Sequence, residues 1–180
     1  MTTILLARHG ETDWNVQRRV QGHSDTPLNE TGRAQALALA ETLDGAELDA
    51  VYSSNLARAF DTAEVVAERK GLRVTAVPEL RERNFGTWEG LTDSEILERF
   101  PAARTGFWGD AETKEEMSAR VLGALQRIAA AHPGGRVLVV THGGPVRALL
   151  VDSGLDGRGP IGNCSLYELR LRDGRFVGID

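Results

Sequence analysis

The sequence predicts an α/β three-layer sandwich, with a mainly parallel central sheet, one antiparallel strand and helices on both faces. Three observations lead there. Short apolar runs alternate with longer amphipathic stretches, the pattern of parallel strands joined by crossover helices. The chain has 180 residues, 41% hydrophobic and 26% charged, which suits a soluble protein with a substantial core. The last two strand-like runs follow each other with no helix between them, so one strand there runs against the rest. No internal repeat, low-complexity tract or linker interrupts the chain, and residues 1–180 read as one domain.

The elements run in order along the chain. "TTILLA" is short and apolar and is ended by a charged turn, as a buried strand is. A polar loop runs to about Glu30. "TGRAQALALAETL" is helical, with Ala34, Leu37, Leu39, Ala40 and Leu43 assigned to one broad apolar face. "LDAVYSS" is the second strand. "NLARAFDTAEVVAERKG" is the second helix, with Ser54 or Asn55 placed to cap its start and Gly71 to end it. "LRVTAV" is the third strand, stopped by Pro78. "TDSE" at Thr92–Glu95 has capping-box spacing before a short helix. "TKEE" at Thr113–Glu116 repeats it before a long helix that reaches roughly His132 and closes at "PGG". "RVLVV" is the most strand-like run. "GGPVRALLVDSG" is a helix with Pro145 near its first turn. "CSLYELRL" and "RFVGI" form a closing strand pair around "DG".

Charge and cysteine content narrow the function. Acidic residues outnumber basic ones 26 to 21, for a formal net charge of −5, which argues against a nucleic-acid or anionic-membrane partner. Lys70 and Lys114 are the only lysines, so the positive charge is nearly all arginine. That is either composition or phosphate recognition, and position has to decide. Cys164 is the sole cysteine, which excludes an internal disulfide and a thiolate cluster. "ILLA" is too short for a signal-peptide core or a membrane span, so the expectation is a cytoplasmic protein. No His/Asp cluster has metal-ligand spacing, and neither a metal nor a cofactor is expected.

The chemistry gathers at strand ends. In open α/β sheets ligands bind outside the carboxyl ends of the strands. "RHG" leaves the first strand, "SSNLAR" the second, "LRERNFG" the third, and "THGG" the "RVLVV" strand. Each piece is weak alone. An arginine on a helix, such as Arg58, is usually solvated; Glu82 sits in a run of charges; His142 would serve as a hydrogen-bonded loop residue. His23 and His132 show nothing beyond ordinary loop roles. Four such segments at four strand ends point to one site, with His9 and His142 each followed by a glycine that permits a sharp turn or a close ligand.

"RHGETDWN", "LNETGRAQA", "VYSSNLARAFDTA", "LRERNFGTWEG" and "VVTHGGPVRAL" resemble, in the same order, the histidine phosphatase superfamily in its phosphoglycerate mutase-like branch. The resemblance implies a phosphoglycerate mutase-like fold and a phosphohistidine at His9. It also implies a phosphate clamp from Arg8, Arg58 and His142, with Glu82 as general acid and base. The residues support these roles on their own. Phosphoryl transfer depends mostly on positioning and charge stabilisation. Arg8 and Arg58 each offer a planar fork to phosphate oxygens. Asn15 and His142 add donors, His142 best as the imidazolium. Nearby arginines disfavour imidazolium at His9, leaving a ring nitrogen free to attack. A carboxyl beside a phosphate dianion holds its proton more tightly, so Glu82 can start as an acid and then activate water. Glu11 competes for that role, although it directly follows the turn and equally suits fixing the loop. Two arginines and an imidazolium replace a metal cation.

Members of the family divide into mutases and phosphatases. Mutases of the family carry a longer basic insertion where this chain has "LTDSEILERFPAARTGFWGDAE", which offers only Arg99 and Arg104. That departure favours a metal-independent phosphomonoesterase over a phosphoglycerate mutase. A non-catalytic phospho-ligand module is a further alternative, opposed by the presence of His9, Arg8, Arg58, Glu82 and His142. Glu112 and Thr113 stand where many members have Glu-Ser. By analogy Gln21, Gly22 and His23 line the pocket mouth, and Gly143 joins Arg8, Asn15 and Arg58 on the substrate. Arg18, Arg19, Arg81 and Arg83 are candidates to read a second acidic group, and at least two of them suit a solvated face better. Trp14, Trp88 and Trp108 either wall the pocket or pack. The expected partner is a small phosphate monoester: a sugar phosphate, a phosphoglycerate derivative, α-ribazole phosphate or a nucleotide. A homodimer stays open.

Overall fold

Strands β1 (Thr3–Arg8), β2 (Ala50–Ser53), β3 (Val74–Ala76), β4 (Arg136–Thr141), β5 (Leu166–Arg172) and β6 (Arg175–Gly178) form one sheet in the computed structural model, which describes residues 1–106, 109–172 and 175–178. The strand order is β3-β2-β4-β1-β5-β6. β1, β2, β3 and β4 pair in parallel, and β5 lies antiparallel to both β1 and β6. Among the described residues β5 alone runs against the others, as expected from the closing strand pair. The "DG" turn between β5 and β6 lies outside the described residues.

The helices are α1 (Asp13–Val16), α2 (Glu30–Thr42), α3 (Ala57–Lys70), α4 (Asp93–Arg99), α5 (Lys114–Ala131) and α6 (Gly143–Asp152). Strand alternation divides the core between two faces. Ile4, Leu6, Val137 and Val139 pack with α5 and α6. Leu5, Ala7, Leu138 and Val140 pack with α2 and α3. Alternation within each buried strand thus produces a three-layer sandwich. Among the described residues no helix is long and apolar enough to cross a membrane.

The local signals mostly act as expected. Thr92 and Thr113 close full capping boxes with Glu95 and Glu116, and Gly71 ends α3 in the left-handed conformation at φ 66°. Three details differ. The polar loop after β1 contains the one-turn helix α1, closed by a Thr12–Asn15 capping box. The buried stripe of α2 is Ala36, Leu39, Ala40 and Leu43, while Ala34 and Leu37 face outward. Those buried positions follow i, i+3, i+4, i+7 spacing, and Ala34 and Leu37 fall on the opposite side of the helix. The N-cap of α3 is Leu56, whose side chain cannot cap. Ser54 Oγ accepts from Leu56 N, and Asp25 Oδ1 from Ala57 N at 2.7 Å.

β1 and β4 are neighbours, yet the chain leaves them toward opposite faces, β1 to α2 and β4 to α6. Such a switch point opens a crevice at the carboxyl ends of the strands.

Candidate active site

Parallel register sets the heart of the site. Arg8 pairs with Thr141 across β1 and β4, so the next residues, His9 and His142, leave the sheet side by side. Their ring centroids lie 5.2 Å apart. His9 N donates to Thr141 O at 2.9 Å, which carries the pairing one residue beyond the strands. Both rings are buried, His9 at 3% exposure and His142 at 0%.

His9 Nδ1 lies 2.6 Å from the Gly10 carbonyl oxygen. A carbonyl only accepts, so Nδ1 carries the proton and Nε2 keeps its lone pair. Burial, then the Arg58 and Arg8 charges, push the His9 pKa well below its usual value of 6.5. Gly10 is required by the turn itself. A Cβ there would meet Gly32 O at 2.5 Å, because α2 begins against the turn. Here the glycine admits neighbouring backbone rather than a ligand. Gly10 N donates to Thr62 Oγ1 at 3.0 Å, and Thr62 Oγ1 donates to Arg58 O. α3 therefore fixes the histidine turn while presenting Arg58.

The Arg58 side chain is 1% exposed, and its Nη1 and Nη2 donate to the Ser24 and Gly22 carbonyls, each at 2.8 Å. Burial lowers its pKa to about 10, so it stays charged at neutral pH. Arg8 Nη1 donates to Ile161 O, and burial likewise lowers the Arg8 pKa. Arg8 Nε, Arg58 Nε and both ring nitrogens of His142 are buried without a hydrogen-bond partner. Buried polar atoms in native proteins are usually satisfied by protein, water or a ligand, and here four of them cluster around His9.

A pocket of about 170 Å³ opens on His9. Arg8, Asn15, Arg19, Gln21, Gly22, Arg58, Glu82 and Phe85 stand around it. Asn15 Oδ1 accepts from Thr12 N in the α1 capping box, which leaves Nδ2 to donate. Gln21 Oε1 accepts from Thr26 Oγ1. The His142 ring lies beside that of His9, and Gly143 lies against the Arg8 guanidinium, with which an added Cβ would be in contact at 3.6 Å. Burial, then Arg58, His9 and Arg8, push the His142 pKa well below 6.5 and favour the neutral ring in the protein alone. Only an anion in the pocket would reverse that balance.

Glu82 follows the turn Pro78–Leu80 after β3. Its Oε1 accepts from Arg83 N at 2.8 Å and its Oε2 from Gly144 N at 3.0 Å. A Cβ on Gly144 would stand 2.2 Å from Glu82 Oε1, so the second glycine of "THGG" makes room for the carboxylate. Glu11 is tied elsewhere: Oε1 accepts from Asn29 Nδ2 at 3.0 Å, at the start of α2. It fixes the loop and is not on the pocket wall.

The remaining candidates separate. Arg19 reaches the pocket edge but pairs with Glu95 at 2.9 Å. Arg18 is exposed, Arg81 donates to Asn55 Oδ1, and Arg83 donates to Glu112 O and stacks on Phe85. His23 Nε2 donates to Glu82 O at 2.8 Å, and His132 bonds Tyr52 far from the site. Trp14 packs on Gly90 and Trp88 on Phe100; Trp108 lies outside the described residues.

Several supporting residues escape sequence reasoning. Arg120 donates to the Glu79, Arg81 and Glu82 carbonyls and to both carboxylate oxygens of Glu112. Glu89 accepts from the His23, Ser24 and Phe85 amides, joining the Gly22 loop to the Glu82 segment. Asn163 Nδ2 donates to His9 O at 3.0 Å. Only the "WEG" of the family-like stretch signals any of them. Burial pushes the Cys164 thiol up to about 12, so it stays protonated. Among the described residues no group of three His, Cys, Asp or Glu side chains is placed to hold a metal ion.

Residues 4–178 match the model of the histidine phosphatase superfamily (branch 1). The chain belongs to that family. It is 40% identical to the metal-independent phosphoserine phosphatase of Arabidopsis thaliana, over 98% of this chain and 79% of that one. Bacillus stearothermophilus YhfR superposes with a TM-score of 0.90 at 35% identity, covering 99% of this chain and 95% of the other. A mycobacterial glucosyl-3-phosphoglycerate phosphatase, solved with VO3, superposes at 0.86 with 34% identity, covering 97% and 95%. These likenesses support a phosphatase.

Proposed function

We propose that the chain hydrolyses a small phosphate monoester through a covalent phosphohistidine at His9. The observation that carries the proposal is the set of buried, unpartnered nitrogens on Arg8, Arg58 and His142 around a histidine whose Nε2 is free. A phosphoryl group supplies what those nitrogens lack, namely anionic oxygen acceptors.

The reaction balances on the chain's own groups. The Nε2 lone pair attacks phosphorus as the bond to the leaving oxygen breaks, and Glu82 gives that oxygen a proton. Glu82, now a carboxylate, takes a proton from water. The water oxygen attacks phosphorus, the nitrogen–phosphorus bond breaks, and phosphate leaves. Arg8 and Arg58 stay fixed throughout and neutralise the equatorial oxygens, which is where most of the rate enhancement arises. The dianion draws a proton onto His142, making it a donor only when needed. With these cations in place a metal ion is unnecessary.

Hydrolysis is favoured over mutase chemistry because the cations on the pocket wall are Arg8, Arg19 and Arg58, while Arg99 and Arg104 are exposed and do not reach it. The relatives named for phosphoserine and glucosyl-3-phosphoglycerate suggest a phosphorylated metabolite as substrate.

Rapid acid-free quench and intact mass measurement test the nucleophile: one added phosphoryl group is expected, labile to acid. His9→Ala should abolish it and lower turnover by about 10⁴–10⁶-fold, the scale of losing a nucleophile. Turnover by His9→Ala at the parent rate would exclude the mechanism.

A further inference from the structure

The phosphate pocket is smaller than most small-molecule sites, which usually span about 300–1,000 Å³: at about 170 Å³ it leaves no room for a bulky leaving group beside the phosphoryl group. A second cavity, of about 750 Å³, runs between α5 and α6. Met117, Val121 and Leu122 line it from α5, and Ala148 and Val151 from α6. The two cavities meet at Glu82 and Phe85, which line both.

On the mechanism proposed above, the leaving oxygen must sit on Glu82 to receive its proton. Whatever that oxygen is attached to extends past Glu82, away from His9. The space on that side is the α5–α6 cavity. Its walls are mostly apolar, and Val151 is 62% exposed. The charged groups at its margin are mostly committed. Arg147 Nη1 donates to the Gly157 and Gly159 carbonyls, and Arg83 is held by Glu112 O and Phe85. Lys114 and Asp152 are exposed at the rim and opposite in sign. A serine or glycerate leaving group would set its charges against methionine, valine and leucine, which costs free energy without compensating hydrogen bonds. A hydrocarbon would gain by the same contact.

We propose that the α5–α6 cavity is the leaving-group site and that it selects phosphate monoesters of apolar alcohols. The proposal rests on the phosphatase reading of the His9 site.

A series of n-alkyl phosphates, ethyl to octyl, tests it. All are held below their aggregation concentrations and assayed by phosphate release. Their leaving-group acidity is nearly constant, so chain length reports binding alone. kcat/KM should rise by up to about fourfold per methylene until the cavity is filled, and O-phosphoserine should fall below hexyl phosphate. Val151→Asp and Ala148→Glu should pull octyl phosphate back toward the ethyl value. If every ester is hydrolysed at a rate independent of length, the leaving-group site is wrong and the phosphatase reading stands. If no ester releases phosphate, the phosphatase reading fails first. If light scattering shows a dimer that Val151→Asp dissociates, with a flat series in the parent, the cavity is an interface between two copies and the proposal is overturned.

Discussion

The two walls of the phosphate pocket are built by different means. The His9 wall is a product of the sheet: parallel pairing of β1 with β4 sets the two histidines side by side, and α3 delivers Arg58 from the next strand over. The Glu82 wall has no strand or helix of its own. The segment after Leu80 takes its shape from side chains that reach in from elsewhere, Arg120 and Glu112 from one side and His23 and Glu89 from the other. Backbone pairing fixes His9, and side-chain hydrogen bonds fix the segment that carries Glu82. The first arrangement is hard to lose by a single substitution. The second depends on a few of them.

The sharpest way to separate the walls is by leaving group. Glu82→Gln should slow phosphorylation of the enzyme by an alkyl phosphate by about 10²–10⁴-fold, the usual worth of general acid catalysis. An aryl phosphate, whose phenolate leaves unaided, should be slowed much less. Single-turnover kinetics isolate that step from later water activation. Equal losses for both esters would remove Glu82 from the acid role.

Arg120→Met tests whether the acid wall is separable from the nucleophile wall. Its removal takes a donor from three carbonyls and from Glu112, of which Glu82 O keeps His23 Nε2 and Glu112 keeps Asn84 N. A stability loss of about 2 kcal/mol is expected in denaturant unfolding, between the values for exposed and buried ion pairs, because the Arg120 and Glu112 side chains stay 21% and 16% exposed. Phosphorylation by the alkyl ester should fall roughly tenfold, on the scale of losing a supporting partner, with the aryl ester nearly unchanged. A matching fall for both esters would mean that the two walls move as one.

The remaining test concerns pH and belongs to the histidine wall. His9 and His142 both have folded pKa values pushed well below 6.5, first by burial. Below pH 6.5 the unfolded chain therefore binds more protons than the folded one, and stability falls as pH falls until the folded values are reached. Each histidine contributes a slope of about 1.4 kcal/mol per pH unit once fully below 6.5. Urea titrations from pH 7 to 5 should show the decline, and His142→Gln should reduce the slope by about half. A slope unchanged by that substitution would mean that His142 is not held neutral.

The same division explains what the sequence discloses. The histidine wall is legible because strands announce themselves as apolar runs, and the residues just past a strand end are placed by the sheet. "RHG", "SSNLAR" and "THGG" need no tertiary knowledge beyond that. Glu82 is found through its family-like stretch, but its supports are not. Arg120 bonds carbonyls about forty residues back in the chain, and Asn163 holds a carbonyl 154 residues away. No local pattern encodes such partners. The α2 face is misplaced by its sequence for a related reason: in a run as rich in alanine and leucine as "ALALAETL", more residues are apolar than the helix can bury, and only the packed structure shows that Leu37 is turned outward. That His142 is neutral in the protein alone is not legible in the sequence, because its protonation depends on burial, which composition does not reveal.

Gly144 joins the walls that the rest of the fold keeps apart. It is the second residue of α6, its amide holds the Glu82 carboxylate, and the helix's own N-cap is His142. A single methyl group at that position would meet Glu82 Oε1 at 2.2 Å and turn the carboxylate away, while β1, β4 and Arg58 kept their places. Such a chain would still accept a phosphoryl group from an activated donor and, lacking a base for water, would be slow to release it. On the mechanism proposed above, that one side chain would turn a catalyst into a store, and turnover would be an attribute of residue 144 as much as of His9.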